Sequence, residues 1–220
     1  MKKKITLWII LIPVSLLLLA LLIPFTIFGV RSALINNDYQ YLLDEEKIEA
    51  VNIDNVKVVK QEISCGYAII EILTTYYGSP ISEQELYNSN NKSITTATTS
   101  GFVGEINKRI HGLSFVSKEY LKNDELLQII NKSLVKGNPV AIEWAAIYEG
   151  IWTLHWSVVT GMDNNYIYIS NPYGYEEVIT YNEFISRTTF MAFTKMNIGY
   201  YFGFAYGLFS KNTIIVAEGY

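Results

Sequence analysis

Gln61-Glu62-Ile63-Ser64-Cys65-Gly66-Tyr67-Ala68-Ile69-Ile70-Glu71-Ile72-Leu73 is the stretch on which the fold turns. After Cys65 the apolar residues run almost unbroken at helical spacing. This predicts a buried helix from Cys65 to about Tyr77, stopped by Gly78-Ser79-Pro80. Cys65 is the chain's only cysteine and stands at the N-terminus of that helix, where the positive end of the helix dipole favours a thiolate. A lone cysteine is more commonly a buried apolar filler. Which role Cys65 has depends on what the rest of the chain brings to it.

Downstream, Ser82-Glu83-Gln84-Glu85 has the Ser-x-x-Glu form of a capping box and opens a second helix. Residues 88–100 read as a polar surface loop. Phe102, Val103, Ile106 and Ile110 mark a third helix, and residues 113–116 a strand. Asn123 is expected to N-cap a fourth helix with Leu126, Leu127, Ile130 and Leu134 on its apolar stripe. The pattern then changes to strands at 139–144, 154–162, 166–170 and 176–179, followed by a short helix at 181–186. Turns fall at Asp163-Asn164-Asn165 and Asn171-Pro172-Tyr173-Gly174. Helices first and an antiparallel sheet second define an α+β domain, with bounds expected at 55–195.

Upstream, Ile53, Val56 and Val58 suggest a strand leading to Gln61, and residues 36–54 read as a short helix or spacer leading off the membrane. From Ile5 to Val30 there are 26 residues without a charge, long enough to span a bilayer and longer than a signal-peptide core. Residues 1–35 are therefore expected to be an uncleaved membrane anchor. Lys2, Lys3 and Lys4 belong on the cytoplasmic side, which puts the body outside the cytoplasm as a single-pass cell-membrane protein. Residues 31–220 carry 14 basic residues against 21 acidic ones, a net charge of −7 with no basic run, and this excludes a nucleic-acid groove. Residues 196–220, rich in Tyr, Phe and Gly, are expected to form a terminal hairpin or tail.

A cysteine nucleophile needs a base, and the chain has two histidines. His111 sits at a helix end and reads as solvated. His155 lies in the strand sequence Leu154-His155-Trp156-Ser157-Val158-Val159 and is the better candidate. Pairing of that strand with the next brings Asn171 toward His155, as an orienting acceptor for the imidazole. Gln61, just before the nucleophile, is placed to donate to an oxyanion together with the Cys65 N–H. One cysteine and two separated histidines make no zinc site, no phosphate-cradling loop is present, and no cofactor is required.

Gln-x-x-x-Cys-Gly opening a helix, His-Trp-x-Val-Val-x-Gly on a strand and Ser-Asn-Pro sixteen residues after the histidine resemble the papain-like cysteine peptidases. Within them the sequence is most similar to the bacteriocin-processing, double-glycine-leader branch and its stand-alone bacterial members. The resemblance implies a papain-like fold and a peptidase working on peptide or protein substrates. It makes Cys65 the nucleophile, His155 the base, Asn171 the orienting residue and Gln61 the oxyanion donor. Two departures stand out. The family usually has Asp where this chain has Asn171, and its glutamine lies about six residues before the cysteine rather than four. Double-glycine leaders are usually cut on the cytoplasmic side, which disagrees with the orientation expected here and leaves the substrate open. The alternatives are acyl or peptidyl transfer at the same site, or a catalytically weak peptide-binding relative. Oligomeric state is not legible in the sequence.

Overall fold

The fold is described from a computed structural model covering residues 2–191 and 196–218. Helix α1 (Lys2–Ile35) contains both Pro13 and Pro24 and is long and apolar enough to cross a membrane. A one-turn helix α2 (Gln40–Asp44) and the two-residue strand β1 (Val51–Asn52) follow. The short helix forms, and the segment also joins the domain: Leu42 and Ile48 are buried in the main core, and β1 pairs with a central strand. The strand expected from Ile53, Val56 and Val58 does not form; after Asn52 the chain crosses to the cysteine helix as a loop.

Three helices then cover one face of the sheet: α3 (Cys65–Tyr76), α4 (Glu83–Ser89) and α5 (Thr99–Arg109). The capping box at α4 is formed by both Ser82 and Glu85. Strand β2 (Ser114–Lys118) leads to α6 (Asn123–Val135). The N-cap of α6 is Lys122 rather than Asn123, whose buried side chain bonds to Asn36, the Asn37 carbonyl and Asn212. Asn123 is recruited by tertiary contacts, which outweigh its local capping preference.

Strands β3 (Val140–Tyr148), β4 (Ile151–Met162), β5 (Tyr166–Asn171) and β6 (Tyr175–Thr180) form an antiparallel meander, closed by α7 (Tyr181–Thr188). The β3–β4 hairpin extends further than its apolar pattern indicates. It closes at Glu149 and Gly150, both with positive φ (49° and 80°), the geometry of a tight hairpin turn. Gly161 is required where β1 joins β4, because a Cβ there would lie 2.7 Å from Asn52 Oδ1 and 2.9 Å from the Val51 carbonyl oxygen.

The tail is not a hairpin. Residues 198–205 form helix α8 (Ile198–Ala205), packed against α1, and β7 (Thr213–Glu218) enters the sheet between β2 and β3. The strand order is β2-β7-β3-β4-β5-β6, with β1 on β4. A domain ending at residue 195 would omit a central strand, and that boundary itself falls on residues 192–195, outside the described residues. α3 and α5 pack on one face through Tyr67, Ile70, Phe102 and Trp156. α6 and α7 pack on the other through Leu127, Ile130, Trp144 and Phe184. With both faces covered, β3 is buried along most of its length rather than alternating.

Candidate active site

The start of α3 is built by side chains from outside it as much as by its own sequence. Ser64 is extended (φ −157°, ψ 148°), and its Oγ accepts the Tyr67 N–H at 3.2 Å as N-cap. Ahead of it the loop is gathered onto one buried carboxyl group. Glu83 accepts the N–H groups of Glu62, Ile63 and Ser64 at 2.8, 3.0 and 3.0 Å. These three donors would otherwise be orphaned beside a helix start, so Glu83 fixes the path of the backbone into Cys65. Gly66 is also required: a Cβ there would lie 2.3 Å from Thr96 Oγ1 and 2.5 Å from Thr96 Cβ, on the loop between α4 and α5.

Where β5 ends, the chain before Cys65 takes over as its neighbour. Lys60 bridges to Tyr173, and the Gln61 N–H donates to the Pro172 carbonyl at 2.7 Å. The Asn-Pro turn and the cysteine loop are thus fastened to each other. The Gln61 side-chain oxygen is enclosed without a hydrogen-bond partner, and no bond links this side chain to Cys65, His155 or Asn171.

His155 is buried in β4, with Nε2 3.1 Å from Asn171 Oδ1. The Asn171 amide can be oriented from its other contacts. Its Nδ2 donates to Glu177 Oε2 at 2.9 Å, and its Oδ1 also accepts the Tyr173 N–H at 3.0 Å. Oδ1 therefore faces the imidazole as an acceptor, His155 Nε2 carries the proton, and Nδ1 is left as the basic nitrogen. Glu177 is in turn held by Arg187 at 2.7 Å, whose guanidinium lies over the Trp144 ring at 4.9 Å. The Tyr173 ring stacks on the imidazole at 4.0 Å.

Burial lowers the His155 pKa to about 4, opposed only in part by the Asn171 bond. Burial likewise pushes the Cys65 thiol up. The N–H groups of Trp156, Gly66 and Cys65 act against this, and the nearby Glu143 adds to it. Desolvation is the leading cause at both groups and favours the neutral thiol and the neutral imidazole, against the thiolate expected at a helix start. Cys65 and His155 share no hydrogen bond, although the N–H of Trp156, adjoining His155, acts on the sulfur.

The structure thus gathers the four residues singled out from the sequence around one junction of α3, β4 and the β5–β6 turn. His155 and Asn171 are directly bonded, Cys65 and Gln61 are tied in through backbone, and the Gln61 side chain is left apart. Three supports escaped the sequence reading: Glu83, Tyr173 and the Glu177–Arg187 pair. The capping box accounted for Glu85 and drew no attention to Glu83. His111 is exposed, as its helix-end position suggested. Among the described residues, no group of three His, Cys, Asp or Glu side chains could hold a metal ion.

Comparison with known proteins agrees with this architecture. The model of the Peptidase_C39-like family matches residues 53–197. No curated protein matches the chain. Among solved structures, a C39-like peptidase from Bacillus anthracis superposes with a TM-score of 0.52 at 14% identity, covering 78% of this chain and 98% of that one. A double glycine motif protease from an AMS/PCAT transporter, solved with its leader peptide, gives 0.48 at 15% identity, with 79% and 99% covered. The peptidase domain of Streptococcus ComA, a bifunctional ABC transporter of a quorum-sensing pathway, gives 0.47 at 18% identity, with 76% and 100% covered.

Proposed function

We propose that this chain, which belongs to the Peptidase_C39-like family and is a papain-like cysteine peptidase, cuts peptide bonds with Cys65, His155 and Asn171 as its triad. The observation that carries the assignment is the 3.1 Å contact between His155 Nε2 and Asn171 Oδ1, with the amide orientation held by Glu177. That contact leaves Nδ1 free to accept the thiol proton. Both groups start neutral, so the proton moves from Sγ to Nδ1 as the sulfur attacks the substrate carbonyl carbon. The Cys65 N–H and the Gln61 amide receive the negative charge on the carbonyl oxygen. The imidazolium then protonates the departing amine as the C–N bond breaks, leaving a thioester. Water, deprotonated by Nδ1, attacks the thioester; the acid departs and the thiol regains its proton.

One observation favours a second reading, a peptide-binding relative with weak turnover: the Gln61 side chain is not joined to the other three residues. Labelling by a thiol-directed peptidase probe separates the two. Peptidase chemistry requires labelling that Cys65→Ala abolishes and Asn171→Ala reduces, with both variants folded. Peptide binding without turnover in the wild type would favour the binding protein.

Helix α1 serves in this reading as a single-pass anchor, with its lysines cytoplasmic and the peptidase domain on the other side. Digestion of the domain by protease added to intact cells is the expected result. Full protection would reverse the orientation.

A further inference from the structure

Helix α8 and the tip of the β3–β4 hairpin form one apolar face that the peptidase chemistry does not use. From Ile198 to Phe209 no residue is charged, and Ile198, Phe202, Tyr206 and Leu208 are all exposed. Beside them the hairpin tip presents Ile147, Tyr148 and Ile151, with Glu149 as its one charge. Between the two elements lies a cavity of about 750 Å³ walled by Trp152, Thr153, Tyr200, Phe202 and Phe209. An exposed apolar surface of this extent is costly in water and calls for an occupant.

The identity of the occupant follows from what α8 touches. Phe202 packs edge-on against Phe25 with centroids 5.4 Å apart, Phe204 lies 5.9 Å from Phe28, and the Tyr206 hydroxyl donates to the Ala20 carbonyl at 3.3 Å. All three partners belong to α1. A hydrocarbon core takes roughly 20 helical residues, so a span beginning at Ile5 leaves it near residues 24–25. Phe25 and Phe28 therefore lie at the edge of the hydrocarbon core, with Ala20 about one turn inside it, and Tyr206 stands at the level where tyrosine and tryptophan collect. Lys211, a buried side chain whose pKa burial lowers to about 8, lies over the Phe28 ring at 4.9 Å and ties the segment after α8 to the same part of α1. The face also reaches the catalytic junction. Thr153, two residues before His155, has its Oγ1 2.9 Å from the Tyr200 hydroxyl, and Tyr148 lies 5.2 Å from Tyr173, the ring stacked on His155.

We infer that α8 and the β3–β4 tip dock on the lipid surface as a continuation of the anchor, holding the His155 side of the junction at the membrane–water boundary. The inference rests on α1 being the membrane span. It is tested with full-length protein in phosphatidylcholine–phosphatidylglycerol vesicles, on a Cys65→Ser background. Spin labels are attached at Ile151→Cys, Ile198→Cys and Leu208→Cys, with Leu16→Cys in α1 and Lys132→Cys on α6 as references. Collision rates with oxygen and with a water-soluble nickel chelate report depth. The labels at 151, 198 and 208 are expected to share with Leu16→Cys a shift toward oxygen and away from nickel, while Lys132→Cys shows the reverse. Labels at 151, 198 and 208 that match Lys132→Cys while Leu16→Cys remains oxygen-rich would overturn the docking surface alone. Nickel access at Leu16→Cys as well would overturn the anchor reading and the inference with it. Shielding of the α8 labels from both reagents, with spin–spin broadening, would assign the face to a second copy of the chain and equally overturn lipid docking.

Discussion

Replacing Asn171 by aspartate would bring the chain into line with the usual family residue, yet the surroundings of Asn171 oppose it. The new Oδ1 would still accept from His155 Nε2 and the Tyr173 N–H, but its second oxygen would take the place of Nδ2, which now donates to Glu177 at 2.9 Å. Two unit charges at that separation repel by about 6 kcal/mol at an effective dielectric of about 20. The repulsion has a ceiling, because the pair can take up a proton; raising one carboxyl pKa from about 4 to 7 costs roughly 4 kcal/mol. Arg187 offsets part of this through its contact with Glu177. Asn171→Asp is therefore expected to lose about 2–4 kcal/mol of stability at pH 7 and to regain most of it near pH 4. Combining it with Glu177→Gln supplies an amide donor where the carboxylate stood, giving a coupling of at least ~2 kcal/mol between the two sites. Urea unfolding of wild type, both single variants and the double variant at pH 7 and pH 4 reads these values directly. An Asn171→Asp protein as stable as wild type at pH 7, with effects that simply add to those of Glu177→Gln, would refute the reasoning. Asparagine at this position is then a consequence of Glu177 rather than a weakened aspartate.

The remaining predictions concern Cys65 and its setting. Glu83→Gln leaves at most one oxygen for three backbone donors and should cost about 2–3 kcal/mol in urea unfolding, with slower thiol-probe labelling; unchanged values for both would show that the loop holds itself. Gly66→Ala should destabilise by about 1–3 kcal/mol in thermal unfolding, and Thr96→Gly in the same chain should recover part of the loss. Iodoacetamide alkylation of Cys65 should climb steadily into the alkaline range, because burial raises the thiol while His155, at about 4, is neutral above that pH; a rate plateau between pH 4 and 8 would instead reveal a resting thiolate–imidazolium pair. Glu143 is buried with its pKa raised to about 8, so it favours folding below the ordinary carboxyl pKa and that contribution is lost as pH rises toward 8. Glu143→Gln should remove this slope, worth on the order of 1.4 kcal/mol per pH unit, from stability measured against pH.

Much of the catalytic half could be read from the sequence because its signals are local. Cys65 opening an apolar run, Ser82 with Glu85, and apolar strands separated by Asn- and Gly-containing turns each act within a few residues. Other features depend on long-range contacts. Ile214 to Ala217 is an apolar run, but nothing local says that it enters the sheet between β2 and β3. Helix α8 contains Gly199 and Gly203 and has no polar face, so it lacks the periodicity that marks a helix in water; its stability comes from packing on α1. The β3–β4 tip was missed because its turn uses Glu149 at positive φ, which residue type does not signal. Glu83 and Glu177 look like surface carboxylates in sequence, and only the fold shows that each organises a part of the site.

The central place of β7 also has a consequence in time. During synthesis α1, the cysteine helix and the His155 strand all emerge before residues 213–218, yet β2 and β3 have no neighbour on their facing edges until those residues arrive. Until then the nascent chain has two open strand edges and an incomplete hydrophobic floor under α3 and α6. The junction that holds Cys65 and His155 therefore rests on a sheet that cannot close until residues 213–218 have been made.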